Sequence, residues 1–382
     1  MKLIYIANVR IPTEKAHGIQ IMKTCESLAE CGVDLELWLP RRRNPVLGGK
    51  DPFAFYGVRK NFKIKKFWSL DLIGRLDFLP GAGFFAQSKT FTWSLGYHLA
   101  RLDKSAVIYS RDIDPLLAAK NLGLTYYYEA HTLSARPGKN FIDVLKSARG
   151  AVAISDHLAE ELKKYLPEGS VIVARDGVDL DAFTREIDKT QARLDLGFSP
   201  ARKIVLYTGH LYQWKGAHIL AQAAEYLSAG VDVYLVGGTT GDQESFQKFM
   251  QAGKLSRCKV LGQVAYKLVP KYLAVADIVV IPNSGKFEIS VKHTSPLKLF
   301  EYMAARKPIV SSDLPSLREV LDETCAVFFV PDDPISLARK IELLLADPDL
   351  AENITVNGAK KVVNYSWRAR ARLIKQFITP LD

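Results

Sequence analysis

Residues 293–302, HTSPLKLFEY, place a histidine, the hydroxyl groups of Thr294 and Ser295, a lysine and a glutamate within ten positions. We expect a helix to start at about Pro296, because proline suits the first helical position. Thr294 or Ser295 would cap that helix by accepting hydrogen bonds from its free amide groups. The amide groups of the first turn and the helix dipole favour an anion at this point.

The carboxylate of Glu301 lies about a turn and a half into this helix. Its flanks, LKLFEYMAA, are largely apolar and predict at least partial burial. A carboxylate beside a bound phosphate would be repelled, so we expect Glu301 to accept hydrogen bonds from neutral hydroxyls, such as those of a ribose next to a diphosphate. An exposed helix residue is the alternative. Lys298 either points towards the anion or lies at the edge of the helix.

A second candidate site is TGHLYQWKG, residues 208–216, which follows an apolar strand. Gly209 allows the backbone to turn closely, and Lys215 stands just before the next helix, where an ammonium group can meet a phosphate. An ordinary loop with a surface lysine is the alternative.

The histidines are unevenly placed. Four of the seven fall on loops at the carboxyl ends of predicted strands, namely His17, His131, His210 and His293. Ligands of parallel α/β sheets bind at that end. A single histidine is more often structural than functional, but four at one end favour a functional site.

The elements that position these residues repeat along the chain. In the second half, six apolar runs alternate with helical patterns: KIVLYTG, VDVYLVGG, KVLGQV, DIVVIPN, PIVSSD and AVFFVP. Continuous apolar strands separated by helices indicate a parallel sheet covered on both faces, and six of them make a doubly wound domain.

The first half follows the same pattern, with KLIYIANV, a helix over 18–31 stopped by Gly32, and DLELWLP, AVIYSR, TYYYEAH, GAVAIS and SVIVARDG. The sequence therefore predicts an α/β protein with an N-terminal domain over 1–180 and a C-terminal domain over 181–365. A last helix over 366–382 would cross back to the N-terminal domain. We expect the carboxyl ends of the two sheets to face each other across a cleft.

These residues resemble the GT-B fold retaining glycosyltransferases of family 4, the glycosyl transferases group 1, over nearly the whole length. Glu301 in LFEYMAARKPIV matches the second glutamate of the family signature, and Lys215 matches the lysine of the family's KG motif. Gly18 in TEKAHGIQIMK matches a loop that approaches phosphate, and His131 in YYYEAH matches the family histidine. LVGG at 235–238 and LGQV at 261–264 resemble strand ends of the donor pocket.

Two positions depart from the family pattern. His293 stands where the family has its first glutamate, which holds hydroxyls of the transferred sugar. His210 stands where an arginine often follows the glycine. A protonated imidazole at His210 could still face a phosphate, whereas His293 cannot copy a carboxylate. The sugar contacts are therefore altered, or the sugar differs. Glu288 is a spare acid in the preceding loop.

The resemblance implies two sets of site residues. The catalytic set is His131, Lys215, His210 and His293. The donor-binding set is Gly18, Gly209, Gly237, Gly238, Gln263, Val264, Thr294, Ser295, Pro296, Leu297, Lys298 and Glu301, with Gln263 and Val264 beside the base.

The resemblance implies transfer of a sugar from a nucleoside diphosphate sugar to an acceptor hydroxyl, with retention at the anomeric carbon. The acceptor would be lipid-linked or glycan, in the synthesis of cell-surface polysaccharide or glycolipid. No cofactor and no metal ion are expected. The alternatives are a non-catalytic nucleotide-binding homologue and a nucleotide-sugar 2-epimerase, although the epimerase needs paired carboxylates that His293 does not help to supply.

The net charge of +11 is concentrated near the N-terminus. Residues 41–66 hold nine Lys or Arg and one acid, Asp51, a local charge of +8 (9 − 1), and an apolar stretch follows. Over 41–85 this combination suits an anionic membrane surface, and a solvated loop before core segments is the alternative. Nucleic acid is not expected, because the basic residues lie in one loop and no nucleic-acid motif is present.

The short N-terminal apolar run and the spacing of the cysteines favour a cytoplasmic protein. The N-terminal apolar run is too short for a signal peptide, and no stretch of about 18 apolar residues could span a membrane. The four cysteines have no metal-ligand spacing, which predicts reduced thiols. We expect a cytoplasmic protein that could lie peripherally on the inner membrane.

Overall fold

The computed structural model describes residues 1–73, 79, 81–134 and 136–379. The chain divides into two compact units. Unit 1 comprises Met1–Arg175 together with Trp367–Asp382, and unit 2 comprises Asp176–Ser366.

Within the described residues, unit 1 contains a parallel sheet of seven strands in the order β3-β2-β1-β4-β5-β6-β7. The strands are β1 (Lys2–Ile6), β2 (Asp34–Pro40), β3 (Lys63–Phe67), β4 (Val107–Ser110), β5 (Thr125–Ala130), β6 (Gly150–Ala153) and β7 (Val171–Val173). Its helices up to the junction are α1 (Ala16–Glu30), α2 (Pro52–Tyr56), α3 (Ala82–Leu99), α4 (Ile113–Asn121), α5 (Lys139–Ser147) and α6 (Asp156–Lys163).

The prediction that the basic residues of 41–66 lie in one loop is wrong. The segment contains α2 and the edge strand β3, whose sequence is KIKKF. An edge strand buries little of its surface, so lysines are tolerated there and the strand lacks an apolar run. Lys65 pairs across the strands with Glu36 at 2.9 Å.

Unit 2 contains a parallel sheet of six described strands in the order β10-β9-β8-β11-β12-β13. The strands are β8 (Lys203–Thr208), β9 (Val231–Val236), β10 (Cys258–Gly262), β11 (Ile278–Ile281), β12 (Ile309–Ser312) and β13 (Val327–Phe329). Starting from β8, this is the doubly wound order 3-2-1-4-5-6. The six predicted strands and the α/β class are confirmed.

Helices cover both faces of the second sheet. They are α7 (Leu180–Phe183), α8 (Lys189–Asp195), α9 (Ala217–Ala224), α10 (Thr240–Ala252), α11 (Val269–Val275), α12 (Glu288–Lys292), α13 (Leu297–Ala304), α14 (Pro315–Arg318), α15 (Pro334–Ala346) and α16 (Pro348–Val362), with 3-10 turns at Gln213–Lys215, Tyr266–Leu268 and Val363–Tyr365. The short helix α12 lies within a segment predicted as loop.

The central strand β8 separates two apolar cores. Ile204 and Leu206 lie in one core, and Val205 and Tyr207 lie in the other. Alternate side chains of a strand point to opposite faces, so β8 is buried on both sides. Polar side chains can therefore be placed only where these strands end.

The last helix, α17 (Trp367–Ile378), belongs to unit 1 and packs against α1. It carries Arg370 into the core, where Nη2 lies 2.5 Å from Oε1 of the fully buried Glu129. Glu129 also accepts hydrogen bonds from Tyr5 (2.6 Å) and Gln20 (2.9 Å). Burial alone would raise the pKa of Glu129, but the charges of Arg370 and of neighbouring His131 hold it well below its usual value. This buried ion pair ties the end of the chain to β5.

Candidate functional site

The candidate site of unit 2 lies at the carboxyl edge of its sheet. The loops that follow β8, β9, β10 and β11 supply its residues. Parallel strands end at the same edge, so segments far apart in the sequence come together there.

Helix α13 begins one residue later than expected. Pro296 occupies the N-cap position with φ −76° and ψ 124°, and no side chain caps the helix. The predicted cap by Thr294 or Ser295 is therefore wrong: proline itself takes the extended cap position. The Ser295 hydroxyl is buried without a hydrogen-bond partner among the described residues. The first amide groups of α13, from Leu297 onward, thus lack a side-chain cap.

Glu301 is buried in α13, with 5% of its surface exposed. The prediction of burial is confirmed, and the exposed alternative is excluded. Tyr266 Oη donates a hydrogen bond to Glu301 Oε1 at 3.0 Å. Burial raises the pKa of Glu301 to about 7, against the opposing effects of Tyr266, Lys215 and Lys298. The second carboxylate oxygen is left with acceptor capacity for a ligand.

Lys298 does not lie at an exposed helix edge. Its side chain is buried, and Nζ lies 4.0 Å from the centre of the Tyr207 ring. No hydrogen-bond partner of Nζ is found among the described residues. Burial and the charge of Lys215 lower the pKa of Lys298 well below its usual value, although Glu301 opposes this. In this setting the charged form of the Lys298 amine is costly, and a bound anion would stabilise it.

Lys215 ends the 3-10 turn Gln213–Lys215, as a partly exposed residue. Its Nζ lies 5.1 Å from the Trp214 ring centre and 6.0 Å from that of Tyr212. Burial of the amine lowers the pKa of Lys215 to about 8, while the charges of Glu301 and Asp242 oppose the shift. The charges of the two lysines and of Glu301 are therefore electrostatically coupled.

A hydroxyl pair anchors α13 to the central strand. Tyr302 Oη accepts hydrogen bonds from the Thr208 amide (2.7 Å) and from Thr208 Oγ1 (3.1 Å). Tyr302 is fully buried at the end of β8. This contact holds the neighbouring Glu301 in place.

His210 is held by groups on two sides. Its Nδ1 lies 3.2 Å from Asp242 Oδ2, and its ring stacks on Tyr212 with centres 4.9 Å apart. Asp242 belongs to a capping box at the start of α10, where it accepts a hydrogen bond from the Thr239 amide at 3.0 Å. The contact with Asp242 fixes the orientation of the imidazole ring.

Glycine is required where two loops meet. A Cβ at Gly237 would lie 2.1 Å from the carbonyl oxygen of Gly209, and Gly237 has φ +132°. The loops after β8 and β9 therefore touch through their backbones. The predicted glycines Gly209 and Gly238 also have positive φ.

The other residues predicted in unit 2 differ in how far they are buried. His293 is mostly buried and follows the last residue of α12, and Thr294 is buried beside it. Gln263 is exposed after β10, and Val264 packs against the edge of an apolar core.

The residues predicted in unit 1 form a separate group. His131 follows β5, and its Nε2 lies 3.1 Å from Glu129 Oε1. Gly18 lies in the first turn of α1, where a Cβ would be 2.1 Å from Tyr56 Oη. The contact with Tyr56 is sufficient reason for a glycine there. Its predicted approach to phosphate stays a prediction.

The prediction that four histidines lie on loops directly after strands is wrong for two. His17 lies inside α1, because that helix begins at Ala16 rather than at residue 18. His293 is separated from β11 by α12.

Among the residues that contact the predicted ones, Tyr266, Tyr302 and Asp242 were not predicted. Tyr266 and Tyr302 are long-range partners with no local signal in the sequence. Asp242 could have been found from the spacing of Thr239 and Asp242, which is typical of a capping box.

The described residues contain no group of three or more His, Cys, Asp or Glu side chains that could hold a metal ion. Within the same ranges, no helix combines the length and the apolar character needed to cross a bilayer.

Residues 202–347 match the family model described as glycosyl transferases group 1. They include the edge at which Lys215, Lys298 and Glu301 meet. This segment is therefore similar to group 1 glycosyltransferases. The matched residues lie entirely within unit 2.

Curated relatives match more of the chain. An uncharacterized glycosyltransferase of Methanocaldococcus jannaschii is 29% identical over 226 residues, which cover 56% of this chain and 56% of the relative. A phosphatidyl-myo-inositol mannosyltransferase of Mycobacterium leprae is 29% identical over 229 residues, 59% of this chain and 57% of the relative. The chain thus spans little more than half the length of these relatives.

Solved structures match the whole chain at low identity. Sucrose-phosphate synthase from Thermosynechococcus elongatus has a TM-score of 0.78 and 19% identity, and covers 98% of both chains. Anabaena HepE in complex with UDP has a TM-score of 0.76 and 17% identity, and covers 100% of both chains. At this identity the likeness concerns the fold. The chain has the GT-B fold, with two Rossmann-like units.

Replacing Lys298 tests whether its buried amine lowers the free energy of unfolding. We expect Lys298→Met to be about 1 kcal/mol more stable, because it removes a buried amine without a hydrogen-bond acceptor and keeps an unbranched side chain. The matched control is Lys307→Met. Lys307 Nζ donates to the carbonyl oxygens of Ala274 (2.9 Å) and Ala276 (3.1 Å), so its loss should destabilise by about 1–3 kcal/mol.

Urea denaturation of the full chain measures both changes. Equal destabilisation by the two substitutions would contradict the absence of a partner for Lys298.

Proposed function

We propose that this chain is a glycosyltransferase that moves a sugar from a nucleoside diphosphate sugar to an acceptor hydroxyl. The observation that carries the proposal is the group formed by Lys215, Lys298 and Glu301 at the carboxyl edge of the second sheet. Two desolvated amines suit a diphosphate, and a buried carboxylate with spare acceptor capacity suits hydroxyls. A nucleoside diphosphate carries both groups next to each other.

The donor would be held by three parts of unit 2. The diphosphate lies at the uncapped start of α13, beside Lys298 and Lys215, and the ribose hydroxyls donate to Glu301. Gln263 and Val264 lie beside the base. The complex of Anabaena HepE with UDP supports a nucleotide in this fold, without fixing the base for this chain.

Catalysis depends on stabilising the leaving diphosphate. As the bond from the anomeric carbon to the diphosphate oxygen breaks, negative charge grows on that oxygen, and Lys215 with the amides of α13 stabilises it. The acceptor oxygen forms its bond to the anomeric carbon on the same face. Its proton passes to the departing phosphate oxygen, so configuration is retained and no carboxylate nucleophile is needed. The proposal requires no metal ion.

The histidines take supporting roles in this scheme. His210, paired with Asp242, faces the diphosphate as an imidazolium where the family often has arginine. For His131, which pairs with Glu129 within unit 1, the catalytic role implied by the family resemblance stays a prediction. His293 stands near that sugar in place of the family's first glutamate, which is consistent with a changed sugar or changed hydroxyl contacts.

The donor site predicts selective nucleotide binding. We expect wild-type protein to bind one of UDP, GDP and ADP without added metal, and Glu301→Ala to weaken that binding about tenfold to a hundredfold, because hydrogen bonds to a charged acceptor are lost. Isothermal titration calorimetry measures it. The matched control is Glu288→Ala, an exposed acid paired only with Lys292 at 3.1 Å among the described residues.

Absence of nucleotide binding would contradict the proposed donor site and favour a non-catalytic homologue. Turnover of the matching nucleotide sugar, with the product's anomeric configuration read by NMR, then separates transfer with retention from epimerisation.

Nucleotide affinity should be highest between about pH 7 and pH 8. The raised pKa of Glu301, about 7, means that below it the carboxyl is protonated and accepts hydroxyl donors poorly. The lowered pKa of Lys215, about 8, means that above it the amine loses its charge. Affinity should fall by up to about tenfold per pH unit outside this window.

Two substitutions separate the acidic and alkaline limbs of the plot of nucleotide affinity against pH. Glu301→Gln should remove the contribution of the carboxyl to the acidic limb, and Lys215→Arg should move the alkaline limb upward, because guanidinium stays charged. The phosphates of the nucleotide titrate alike in all three proteins. Profiles of identical shape would refute the assignment.

We further propose a lipid-linked or glycan acceptor in cell-surface polysaccharide or glycolipid synthesis, and a peripheral position on the cytoplasmic face of the inner membrane. Relatives named as a phosphatidyl-myo-inositol mannosyltransferase and a putative teichuronic acid biosynthesis glycosyltransferase support this class of acceptor.

An aromatic patch on unit 1 supports the membrane surface. It consists of Trp68, Phe85, Trp93 and Tyr97, each at least half exposed, and Trp68 contacts Trp93 edge-on at 6.4 Å. Cations accompany the rings: Lys89 Nζ lies 5.7 Å from the centre of Phe85, and Arg101 stacks on Tyr97 at 3.4 Å. Aromatic rings interleaved with cations fit an anionic bilayer. Within the predicted segment 41–85, residues 74–78 and 80 lie outside the described residues.

Vesicle binding tests the aromatic patch. We expect Phe85→Ala/Trp93→Ala to sediment about tenfold less with vesicles of phosphatidylcholine and phosphatidylglycerol, because two apolar side chains no longer insert. Pure phosphatidylcholine should bind little of either protein. The control, Tyr226→Ala/Val330→Ala, removes two side chains of similar exposure from unit 2. Equal losses in both variants would count against the patch.

A further inference from the structure

A basic cavity lies in unit 1, lined by part of the basic segment 41–66 and by Ile11 and Pro12 of the loop after β1. Its volume is about 290 Å³, and it opens where β2 and β3 end, against the loop after β1. This is the carboxyl edge of the first sheet, the edge at which parallel α/β sheets bind ligands. The polar side chains that line it are Arg41, Arg42, Arg43, Asn44, Lys50 and Lys66.

The cavity has five cationic side chains and no carboxylate in its lining, as far as the described residues show. Among the same residues, only Arg42 of the five forms an ion pair, with Asp71 at 3.3 Å. Nearby acids are already committed: Glu14 pairs with Arg10 at 2.8 Å, and Asp51 with Lys60 at 2.8 Å. The positive charge of the cavity therefore lacks compensation within this part of the chain.

Collecting five like charges costs free energy, although solvent screens part of the repulsion because only Arg42 is half-buried and the other four cations are exposed. Burial lowers the pKa of Lys66, and burial together with Arg10 lowers that of Arg42, against the effect of Asp71. Like charges in a partly desolvated space repel one another. A bound anion would remove this cost.

The walls of the cavity are fixed by hydrogen bonds. Buried Asn44 donates from Nδ2 to Pro12 O (3.2 Å) and Glu14 Oε2 (2.8 Å), while its Oδ1 accepts from the Val46 and Leu47 amides (2.9 and 3.1 Å). These bonds join the loop after β1 to the loop after β2.

A third wall is joined in the same way. Lys66 Nζ donates to Ile11 O at 3.2 Å, and the Arg41 amide donates to Phe67 O at 2.6 Å. The strand β3 is thereby tied to both loops. These hydrogen bonds fix the backbone of the cavity walls and the Lys66 amine before any ligand arrives, which lowers the entropic cost of binding, whereas the side chains of Arg41, Arg43 and Lys50 are exposed.

From this geometry we infer that the cavity binds a phosphate or diphosphate group of the acceptor substrate. Arginine forks match phosphate oxygens in pairs. The volume is at the lower end for ligand pockets and suits a charged group rather than a whole nucleotide. No aromatic side chain among the described residues lines the cavity, so a base has no ring on which to stack. The inference rests on the proposed function, in which unit 2 binds the donor.

Inorganic pyrophosphate and inorganic phosphate are the probes. Calorimetry is performed on the full chain with saturating nucleoside diphosphate, which blocks the donor site. We expect Arg41→Gln/Arg43→Gln to bind pyrophosphate at least about tenfold more weakly than wild type, through loss of charge-assisted hydrogen bonds. The control, Lys139→Gln/Lys146→Gln, removes the same charge from exposed positions of α5 and should bind about as wild type.

The outcomes separate the possible ligands. Affinity for pyrophosphate well above that for phosphate assigns a diphosphate, and equal affinity a monoester. Vesicles of phosphatidylcholine and phosphatidylglycerol test the bilayer as the source: loss of vesicle binding in Arg41→Gln/Arg43→Gln with unchanged pyrophosphate affinity overturns the inference.

Equal weakening in the control also overturns it, because net charge alone would then explain the result. So does loss of all pyrophosphate binding when nucleotide is present. Failure of the proposed function is distinct, since it shows as absence of nucleotide binding in the donor test.

Discussion

Burial of both sheets on both faces is the constraint from which the rest of the structure follows. Strand β8 sends alternate side chains into two apolar cores, so a polar group along its length would have no water and no partner. Charged side chains can stand only where the strands end. Lys215 and Glu301 are separated by many residues in the chain, yet they meet because the loop after β8 and the helix after β11 leave neighbouring strands at the same edge.

At that edge, some buried polar groups have no hydrogen-bond partner among the described residues. The amine of Lys298 lies over the Tyr207 ring without an acceptor, and the Ser295 hydroxyl is buried without a partner among the described residues. Around them the structure is firmly held, through Tyr302 on Thr208 and Gly237 against Gly209. A rigid frame with unmet groups inside it is the arrangement expected of a binding site, in which a ligand completes the interactions.

In unit 1, a buried charge is stabilised by a partner from a distant segment of the chain. Glu129 is fully buried in β5, and it is kept ionised by Arg370, which arrives from the far end of the chain on α17. The pair gives the last helix a specific register, because an apolar helix face alone could slide, whereas a buried carboxylate accepts only one position of its cation. His131 follows two residues later and shares the same carboxylate.

The sequence by itself determined the strands, because continuous apolar runs are what burial on both faces requires. It also singled out Lys215 and Glu301 as candidate site residues, because both lie in motifs of local spacing. It did not predict β3, whose lysines fit an edge strand but hide the apolar pattern, or the cap of α13, where Pro296 takes the place expected for Thr294 or Ser295.

Only the tertiary structure decided which groups touch. Tyr266 on Glu301, Tyr207 under Lys298 and Arg370 on Glu129 join segments distant in the chain, and no local periodicity encodes such pairs. The basic residues of 41–66 carried their charge in the sequence, but their gathering around a cavity depends on Asn44 and on β3. The periodicity of apolar residues in a sequence indicates which residues are buried. A site depends on contacts between residues that are distant in the chain, and these contacts form only when the sheets have formed.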